Sequence, residues 1–360
     1  MKVMTILGTR PEIIRLSCLI PLLDAVCDHV LVDTQQNFDP RLGELFYEEL
    51  AIRAPNRKLG CRADSPMGLV AKILTATEAA LTEEKPDRLL LLGDTYSALS
   101  AFAAKRMGIP VYHMEAGNRC YDDRVPEEIN RRIVDHCSDV LMPYTERSRA
   151  NLLREGLPGP RIFVTGNPIG EVIARYEKQI AASAILANLK IERGQFFLAT
   201  VHRAENVDHP ERLETLLDAL VGLATRWKMP VICSLHPRTR SRLSGTVESY
   251  AARGLRMEPP FGFFDFIMLE KSAFCVLSDS GTVQEECALF GTPSLTLRDV
   301  TERPETLECG SNILAGASVE RIAAGVELAT KFGGEWTAPV EYLKKNVSAT
   351  VAKITLGRAP

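Results

Sequence analysis

The feature that most constrains the fold is a repeated alternation of short apolar segments with longer amphipathic ones. Strands alternating with helices in this way are typical of parallel sheets covered by helices, so we predict an α/β fold. Polar residues directly follow most apolar segments, and in open parallel sheets ligands bind at the carboxyl ends of the strands. Strands are predicted over 2–7, 29–33, 88–92, 109–114, 139–142, 162–165, 196–201, 231–235 and 273–277, and another just before Arg298. Helices are predicted over 41–50, 68–83, 96–105, 146–155, 283–290, 319–330 and 340–352, and one from Pro126.

Chain length predicts two domains, because 360 residues exceed what one hydrophobic core usually supports. We place the boundary near residue 170, after which the alternation of strands and helices starts again. No Gly/Ser-rich or Pro-rich linker separates the halves, so we expect them to close over a cleft on a short hinge.

Bulk properties disfavour several classes of function. A net charge of -3 and a pI near 6.1 argue against a nucleic-acid surface. No apolar run of about 18 residues predicts a membrane span, and the opening MKVMTILG is interpreted as a strand rather than an export signal. The nine cysteines include no CxxC pair and no zinc-ligand spacing, so we expect a reducing cytoplasm and no metal site.

The segment from Val111 to His136 places two carboxylates near one another. Its predicted strand ends at Glu115, and Glu127 lies in the first turn of the helix that Pro126 begins. The alternative interpretation is that the charged residues of this helix form a solvent-exposed face with ion pairs within the helix. The pairs expected at this spacing are Glu127 with Arg131 and Glu128 with Arg132, and the predicted core-facing stripe is Ile129, Ile133, Val134 and Cys137.

Asp94 is a third candidate carboxylate, because it follows the strand 88–92 directly. The alternative is that it caps the helix predicted over 96–105.

Basic and hydroxyl side chains at other strand ends suit a diphosphate. Arg10 follows the first strand in a glycine turn, with Arg15 one turn into the next helix; either could pair with an anion or be solvated. His202 and His236, each followed closely by arginine, end two strands that we assign to one sheet edge. The turn Asp279-Ser280-Gly281-Thr282 precedes a helix whose N-terminus can hold phosphate, and Glu286, one turn in, could accept hydrogen bonds from a ribose diol.

Seven motifs, in order along nearly the whole chain, resemble the non-hydrolysing UDP-N-acetylglucosamine 2-epimerases. They are GTRPEIIRL (8–16), GDT (93–95), HMEAG (113–117), PEEINR (126–131), HRAEN (202–206), DSGTVQEE (279–286) and TERPE (301–305). The resemblance implies two Rossmann-like domains in a glycosyltransferase-B-like architecture, with a UDP-sugar in the interdomain cleft, and a homodimer. The implied domains are 1–169 and 170–340, with a C-terminal helix within 341–360 that crosses back to the first.

The resemblance also implies residue roles. The matching positions make Asp94, Glu115, Glu127 and His202 the catalytic set. Nucleotide-sugar contacts are implied for Arg10, Ser280, Gly281, Thr282, Glu286 and Arg303, for Arg15, which replaces a lysine common in the family, and for Phe266, where an aromatic neighbour of uracil is expected.

Some residues depart from the family pattern. Thr282 stands where a second glycine is common, and Gln35 replaces a glycine in the loop Gln35-Gln36-Asn37-Phe38-Asp39. The segment 113–136 resembles the branch that forms UDP-N-acetyl-L-fucosamine, whereas RDVTERPE (298–305) resembles the UDP-N-acetylglucosamine branch.

The implied reaction is inversion at C2 by elimination of UDP to a 2-acetamidoglucal and re-addition, without cofactor or metal. Four alternatives remain open: a 2-epimerase of a 6-deoxy UDP-sugar, a hydrolysing 2-epimerase that releases free sugar, a glycosyltransferase on the same scaffold, and a protein that binds nucleotide-sugar without turnover.

Overall fold

A computed structural model describes residues 1–36, 40–243 and 247–357. The chain divides into two compact units, Met1–Arg175 together with Glu341–Pro360, and Tyr176–Val340. Asn37, Phe38 and Asp39 of the glutamine-rich loop lie outside the described residues.

The first unit contains a six-stranded parallel sheet. Its strands lie in the order β3-β2-β1-β4-β5-β6, which is the Rossmann order. Strands buried on both faces read as continuous apolar runs, as β1 and β4 do, and the two were predicted to the residue. The strands are β1 (Lys2–Leu7), β2 (Asp28–Asp33), β3 (Arg57–Lys58), β4 (Arg88–Leu92), β5 (Val111–Met114) and β6 (Val140–Met142).

The second unit repeats this topology. Its parallel order, β12-β11-β10-β7-β8-β9, is again the Rossmann order when counted from its own first strand. The predicted α/β fold with two Rossmann-like domains is therefore confirmed. The strands are β7 (Phe197–Thr200), β8 (Val231–Ser234), β9 (Leu255–Glu258), β10 (Cys275–Ser278), β11 (Ser294–Thr296) and β12 (Asn312–Leu314).

Helices follow the strands in both units. Those of the first unit are α1 (Arg10–Leu16), α2 (Leu19–Val26), α3 (Pro40–Glu49), α4 (Pro66–Glu84), α5 (Ser100–Arg106), α6 (Pro126–Cys137), α7 (Glu146–Arg154) and α8 (Ile169–Arg175), with 3-10 turns at Tyr96–Leu99 and Gly159–Arg161. Those of the second are α9 (Glu177–Ala181), α10 (Ile185–Leu189), α11 (Ala204–Val207), α12 (Pro210–Trp227), α13 (Pro237–Arg242), α14 (Val247–Ala251), α15 (Phe263–Ser272), α16 (Gly281–Phe290), α17 (Pro304–Glu308) and α18 (Val319–Lys331).

The last helix, α19 (Val347–Gly357), belongs to the first unit, where it packs against α2. The backbone N–H of Ser348 at its start donates to Glu171 at 2.8 Å. The first unit is therefore built from two stretches of chain that are far apart in sequence.

Two predicted elements are wrong. Residues 162–165 form only an isolated bridge between Ile162 and Leu141, because the chain turns away at Gly166, whose φ is +93°. The helix predicted over 340–352 starts only at Val347, because residues before it bind the 164–167 segment instead: Lys344 Nζ donates to the Val164 carbonyl at 3.1 Å.

The buried face of α6 was predicted correctly only in part: Val134 is in the core and Cys137 packs against it, but two isoleucines of the predicted stripe are not buried. Ile129 and Ile133 are 48% and 42% exposed, whereas Glu128, Arg131 and Asp135 are buried. These charged residues can face inward because each is ion-paired there. Of the two predicted i,i+4 pairs, that between Glu128 and Arg132 is present at 3.2 Å.

Candidate active site

The candidate groups of the first unit follow neighbouring strands. In the sheet β1 lies beside β4, and β4 beside β5. The sequence of strand connections reverses between β1 and β4, and ligands bind at such a switch point in open α/β sheets. Asp94 and Glu115, which follow β4 and β5, therefore lie where the topology places a ligand.

Asp94 is held by an arginine of α6. Its carboxylate accepts from Arg131 Nε at 3.1 Å and from Arg131 Nη2 at 2.6 Å, while its carbonyl accepts from Asn130 at 2.9 Å. The alternative that Asp94 caps a helix is wrong, because Thr95 is the capping residue of the 3-10 turn that follows. Both contacts reach the same oxygen, Oδ2, so Arg131 anchors one end of the carboxylate.

Glu115 occupies an unusual backbone conformation. Its φ is +65°, in the left-handed region that a non-glycine residue adopts at a cost of about 1–3 kcal/mol. The carboxylate is buried, forms an ion pair with Arg15, and accepts from Asn118 Nδ2 at 3.3 Å. The guanidinium of Arg15 lies 5.6 Å from the ring centroid of Tyr144. Strain of this kind persists where the surroundings over-determine the position, which is typical of functional residues.

Glu127 joins Asp94 and Glu115 in one electrostatic cluster. It lies half-buried in the first turn of α6. Burial raises the pKa of Asp94 above its ordinary value; the charge of Arg131 opposes this rise, and the charges of Glu115 and Glu127 add to it. Neighbouring carboxylates that repel one another divide into proton donors and proton acceptors, as general acid-base chemistry requires.

The buried carboxylate of Asp135 holds the loop that carries Glu115 in place. Asp135 on α6 accepts from His113 Nδ1 at 2.9 Å and from the Gly117 N–H at 3.1 Å, and it pairs with Arg119 at 2.8 Å. Burial alone would raise the pKa of Asp135, but His113 and Arg119 outweigh it and lower that pKa. The Asp135 carboxylate therefore binds residues on both sides of Glu115.

The turn at Gly8, after β1, is occupied by a side chain of the helix that follows it, α1. Arg10 is the first residue of α1 rather than a loop residue, and its guanidinium lies 5.7 Å from the Phe46 ring centroid. The Glu12 carboxylate accepts from the Gly8 N–H at 3.0 Å and from Thr9 Oγ1 at 2.7 Å. Burial raises the pKa of Glu12 to about 7 despite these hydrogen bonds. Donors that could have held a phosphate here already hold a carboxyl group.

The second unit places His202 and His236 at one sheet edge, as predicted, since β7 and β8 are neighbours. Their ring centroids are 5.6 Å apart. Asp279 at the end of β10 fixes this loop: it accepts from the His202 and Arg203 N–H groups at 2.9 Å each and from Asn206 at 3.0 Å. His202 Nδ1 lies 3.0 Å from Asp279 Oδ1, which leaves Nε2 as the ring atom that can face a ligand.

Asp279 is ionised in the folded protein. Complete burial alone would raise its pKa, but the charge of His202 and the hydrogen bonds from His202, Arg203 and Asn206 outweigh burial and hold the pKa well below its ordinary value.

The N-terminus of α16 lies beside this loop, at the β7/β10 switch point of the second sheet. Ser280 is the capping residue, but its side chain makes no capping bond and lies 3.0 Å from Thr282 Oγ1. The first N–H groups of a ten-residue helix, with its positive dipole end, suit a phosphate. Gly281 must stay small, since a Cβ there would lie 2.6 Å from Glu302 Oε1.

The remaining candidates lie on or beside α15 and α16. Glu286 is buried one turn into α16. Phe266 of α15 is half-buried and packs against a core cluster that includes Phe196, Leu198 and Val276. Arg303 is also buried and forms an ion pair with Glu285.

Several functional groups escaped the sequence-based prediction. Arg131 and Asp279 make their contacts with residues distant in sequence, whereas Glu12 binds the turn before its own helix. The apolar pattern of the sequence placed none of the three at a core-facing position. Among the described residues no group of three or more His, Cys, Asp or Glu could hold a metal ion. In the same part of the chain, no helix is long and apolar enough to cross a membrane.

The fold is that of an α/β protein with two Rossmann-like units, one with clustered carboxylates after its strands and the other with a helix N-terminus at its switch point. The sequence profile of the UDP-N-acetylglucosamine 2-epimerase family matches residues 23–355. The chain belongs to this family.

Individual relatives agree with this assignment. UDP-N-acetylglucosamine 2-epimerase of Methanocaldococcus jannaschii is 38% identical over 94% of this chain and 95% of its own. UDP-2,3-diacetamido-2,3-dideoxy-D-glucuronate 2-epimerase of Pseudomonas aeruginosa is 37% identical over 89% and 90%. The crystal structure of the M. jannaschii enzyme with UDP-GlcNAc and UDP superposes with a TM-score of 0.93, at 36% identity, over 98% of this chain and 99% of that one. The α/β fold of two Rossmann-like domains expected from the sequence resemblance is thereby confirmed.

Proposed function

We propose that the protein interconverts UDP-N-acetylglucosamine and UDP-N-acetylmannosamine by inversion at C2. The observation that carries the proposal is the cluster of Asp94, Glu115 and Glu127, in which burial and mutual repulsion raise the pKa of Asp94. The relative of M. jannaschii that bears this activity in its name is similar over nearly the whole chain, which supports the same reaction here.

The proposed chemistry avoids direct deprotonation of C2, where no adjacent carbonyl would stabilise a carbanion. UDP leaves first, positive charge develops at C1, and the C2 proton becomes acidic. Its loss gives 2-acetamidoglucal and UDP; re-addition with protonation from the other face gives the epimer. Asp94, Glu115 and Glu127 exchange the proton and stabilise the cation, and no redox cofactor or metal is needed.

The second unit is proposed to hold UDP. Ser280, Gly281 and Thr282 at the start of α16 bind the diphosphate, with His202 beside them to stabilise the leaving group. Glu286 accepts the ribose hydroxyls, and Phe266 lies against uracil. Arg10, Arg15, His236 and Arg303 complete the proposed set of nucleotide-sugar contacts, with Arg15 acting through its ion pair to Glu115.

The assembly and compartment are also proposals. A homodimer follows from the family resemblance, and light scattering on the purified protein would detect it. All nine cysteines are free, which fits a reducing cytoplasm.

The decisive experiment is proton NMR of the protein with UDP-GlcNAc in D2O. We expect UDP-ManNAc to appear with deuterium at C2, without added cofactor. Absence of exchange would redirect the search to other UDP-sugars, including 6-deoxy sugars and the 2,3-diacetamido uronate that the P. aeruginosa relative takes by name. Release of free sugar would instead identify a hydrolase.

Removal of the ribose acceptor should weaken binding. Glu286→Ala is expected to raise the dissociation constant of UDP by about tenfold, because two hydroxyl groups lose a charged partner. Ser280→Ala should act in the same direction with a smaller effect. Calorimetric titration with UDP measures both, and exposed Glu214→Gln is the matched control. Unchanged affinity in Glu286→Ala would contradict the nucleotide site.

A further inference from the structure

Glu270 is a buried carboxyl group that the proposed chemistry does not use. It lies near the end of α15, its side chain is completely buried, and α15 packs against α16. Within the described residues, neither carboxyl oxygen of Glu270 accepts a hydrogen bond from a donor. An isolated buried carboxylate is too costly to persist, so its surroundings must explain it.

The group that faces Glu270 is the carboxyl group of Glu286 on α16, within hydrogen-bonding reach. The buried thiol of Cys287 also lies near both carboxyl groups and carries no positive charge. Lys271, the next residue along, instead lies 5.6 Å from the Phe290 ring centroid and 3.9 Å from Glu177.

Two carboxyl groups in contact in a dry environment share a proton, because two like charges at this distance cannot both persist. Burial and the neighbouring charge of Glu286 raise the pKa of Glu270 well above its ordinary value. Glu286 is slightly exposed whereas Glu270 has no exposed surface, so the proton belongs on Glu270.

We propose that Glu270 is a positioning residue that stays protonated and donates a hydrogen bond to Glu286, which holds the Glu286 carboxylate ionised and oriented to accept the ribose hydroxyls of UDP. This inference rests on the proposed function of Glu286. Phe266, the proposed uracil neighbour, lies four residues before Glu270 and therefore on the same face of α15. One helix would then align both the base and, through Glu286, the ribose.

Two substitutions of Glu270 separate its possible roles. Glu270→Gln keeps a neutral hydrogen-bond donor of the same shape and cannot ionise. Glu270→Met keeps the volume but removes the donor. UDP is titrated calorimetrically into the wild type, both variants and the Glu214→Gln control, between about pH 6.5 and pH 9, a range that reaches well above the ordinary pKa of a glutamate.

The expected results differ between the two variants. Glu270→Gln should bind UDP within about twofold of the wild type at pH 7, whereas Glu270→Met should bind about tenfold more weakly because Glu286 loses its charged hydrogen bond. As the pH rises, wild-type Glu270 begins to ionise and repel Glu286, so wild-type affinity should fall relative to Glu270→Gln. A fall common to both proteins comes from titration of the ligand.

Thermal unfolding supplies a readout that separates positioning from a structural role. Replacing a buried carboxyl group that has no donor by an apolar side chain should leave the melting temperature unchanged or raise it. A variant that is at least as stable as the wild type but binds UDP more weakly fits only a positioning role.

Other outcomes overturn the inference. Wild-type UDP affinity in Glu270→Met, or a pH dependence in Glu270→Gln that parallels the wild type, would refute the role of Glu270 while leaving the nucleotide site intact. Absence of saturable UDP binding by the wild type would refute the proposed function and this inference together.

Discussion

Replacement of Glu115 by glutamine is expected to abolish turnover, with a loss of at least about 10³-fold, the scale of general acid-base catalysis. Glutamine keeps the shape and the hydrogen bond with Asn118 but can neither take up a proton nor carry the charge that pairs with Arg15. Because the residues proposed to bind the diphosphate, the ribose and uracil at α15 and α16 lie in the second unit, UDP affinity should remain near that of the wild type. Deuterium exchange at C2 and calorimetry with UDP measure the two quantities.

The matched control is Glu146→Gln, an exposed glutamate of the same unit, which should leave turnover unchanged. Full activity of Glu115→Gln would remove Glu115 from the catalytic set. Loss of both turnover and UDP binding would point to a folding defect instead, which the melting temperature would reveal.

Replacement of Asp279 by alanine should lower the free energy of unfolding by about 3–5 kcal/mol at neutral pH, the usual cost of removing one partner of a buried charged network. Asp279 is completely buried, and its loss leaves the N–H groups of His202 and Arg203 and the amide of Asn206 without their acceptor. Turnover should fall as well, because His202 loses the contact that orients its ring.

The loss of unfolding free energy in Asp279→Ala should become smaller as the pH falls. The pKa of Asp279 is lower in the folded than in the unfolded state, so its stabilisation is fully present above the unfolded pKa of about 3.9 and is lost as the pH falls below it. Urea denaturation at several pH values should therefore show the difference between wild type and Asp279→Ala shrinking on acidification.

Surface Asp208 provides the comparison. It pairs with Arg238 and Arg242, whose side chains are about half exposed, and Asp208→Ala should cost at most about 1 kcal/mol. If both variants lost the same free energy of unfolding, burial would not explain how strongly Asp279 stabilises the protein.

Sequence reasoning succeeded where a residue's neighbours along the chain decide its structure. Central strands such as β1 and β4 are buried on both faces and read as continuous apolar runs. The short edge strands β3, β9 and β12 escaped, because Arg57–Lys58, Leu255–Glu258 and Asn312–Leu314 are too short to show a clear apolar pattern and are defined by pairing with a neighbour. Asp94 and Glu115 were found because they end strands, a position the chain itself reveals.

The partners of these residues were not predictable by the same means. An apolar residue is expected to face the core, yet α6 exposes Ile129 and buries Arg131, because Arg131 is neutralised by Asp94 and Glu128. Glu270 is a similar case: its sequence neighbourhood gives no sign of the carboxyl group on α16 that it meets. Both placements depend on charge contacts between segments distant in sequence.

The return of α19 to the first unit has a consequence for synthesis on the ribosome. The whole of the second unit is translated between α8 and α19, which takes roughly ten to thirty seconds at about 5–20 residues per second. Throughout that interval the surface of α2 that α19 covers stays open to solvent and to chaperones. The second unit, being continuous in sequence, can fold as it emerges, whereas the first unit is completed last although most of it is made first.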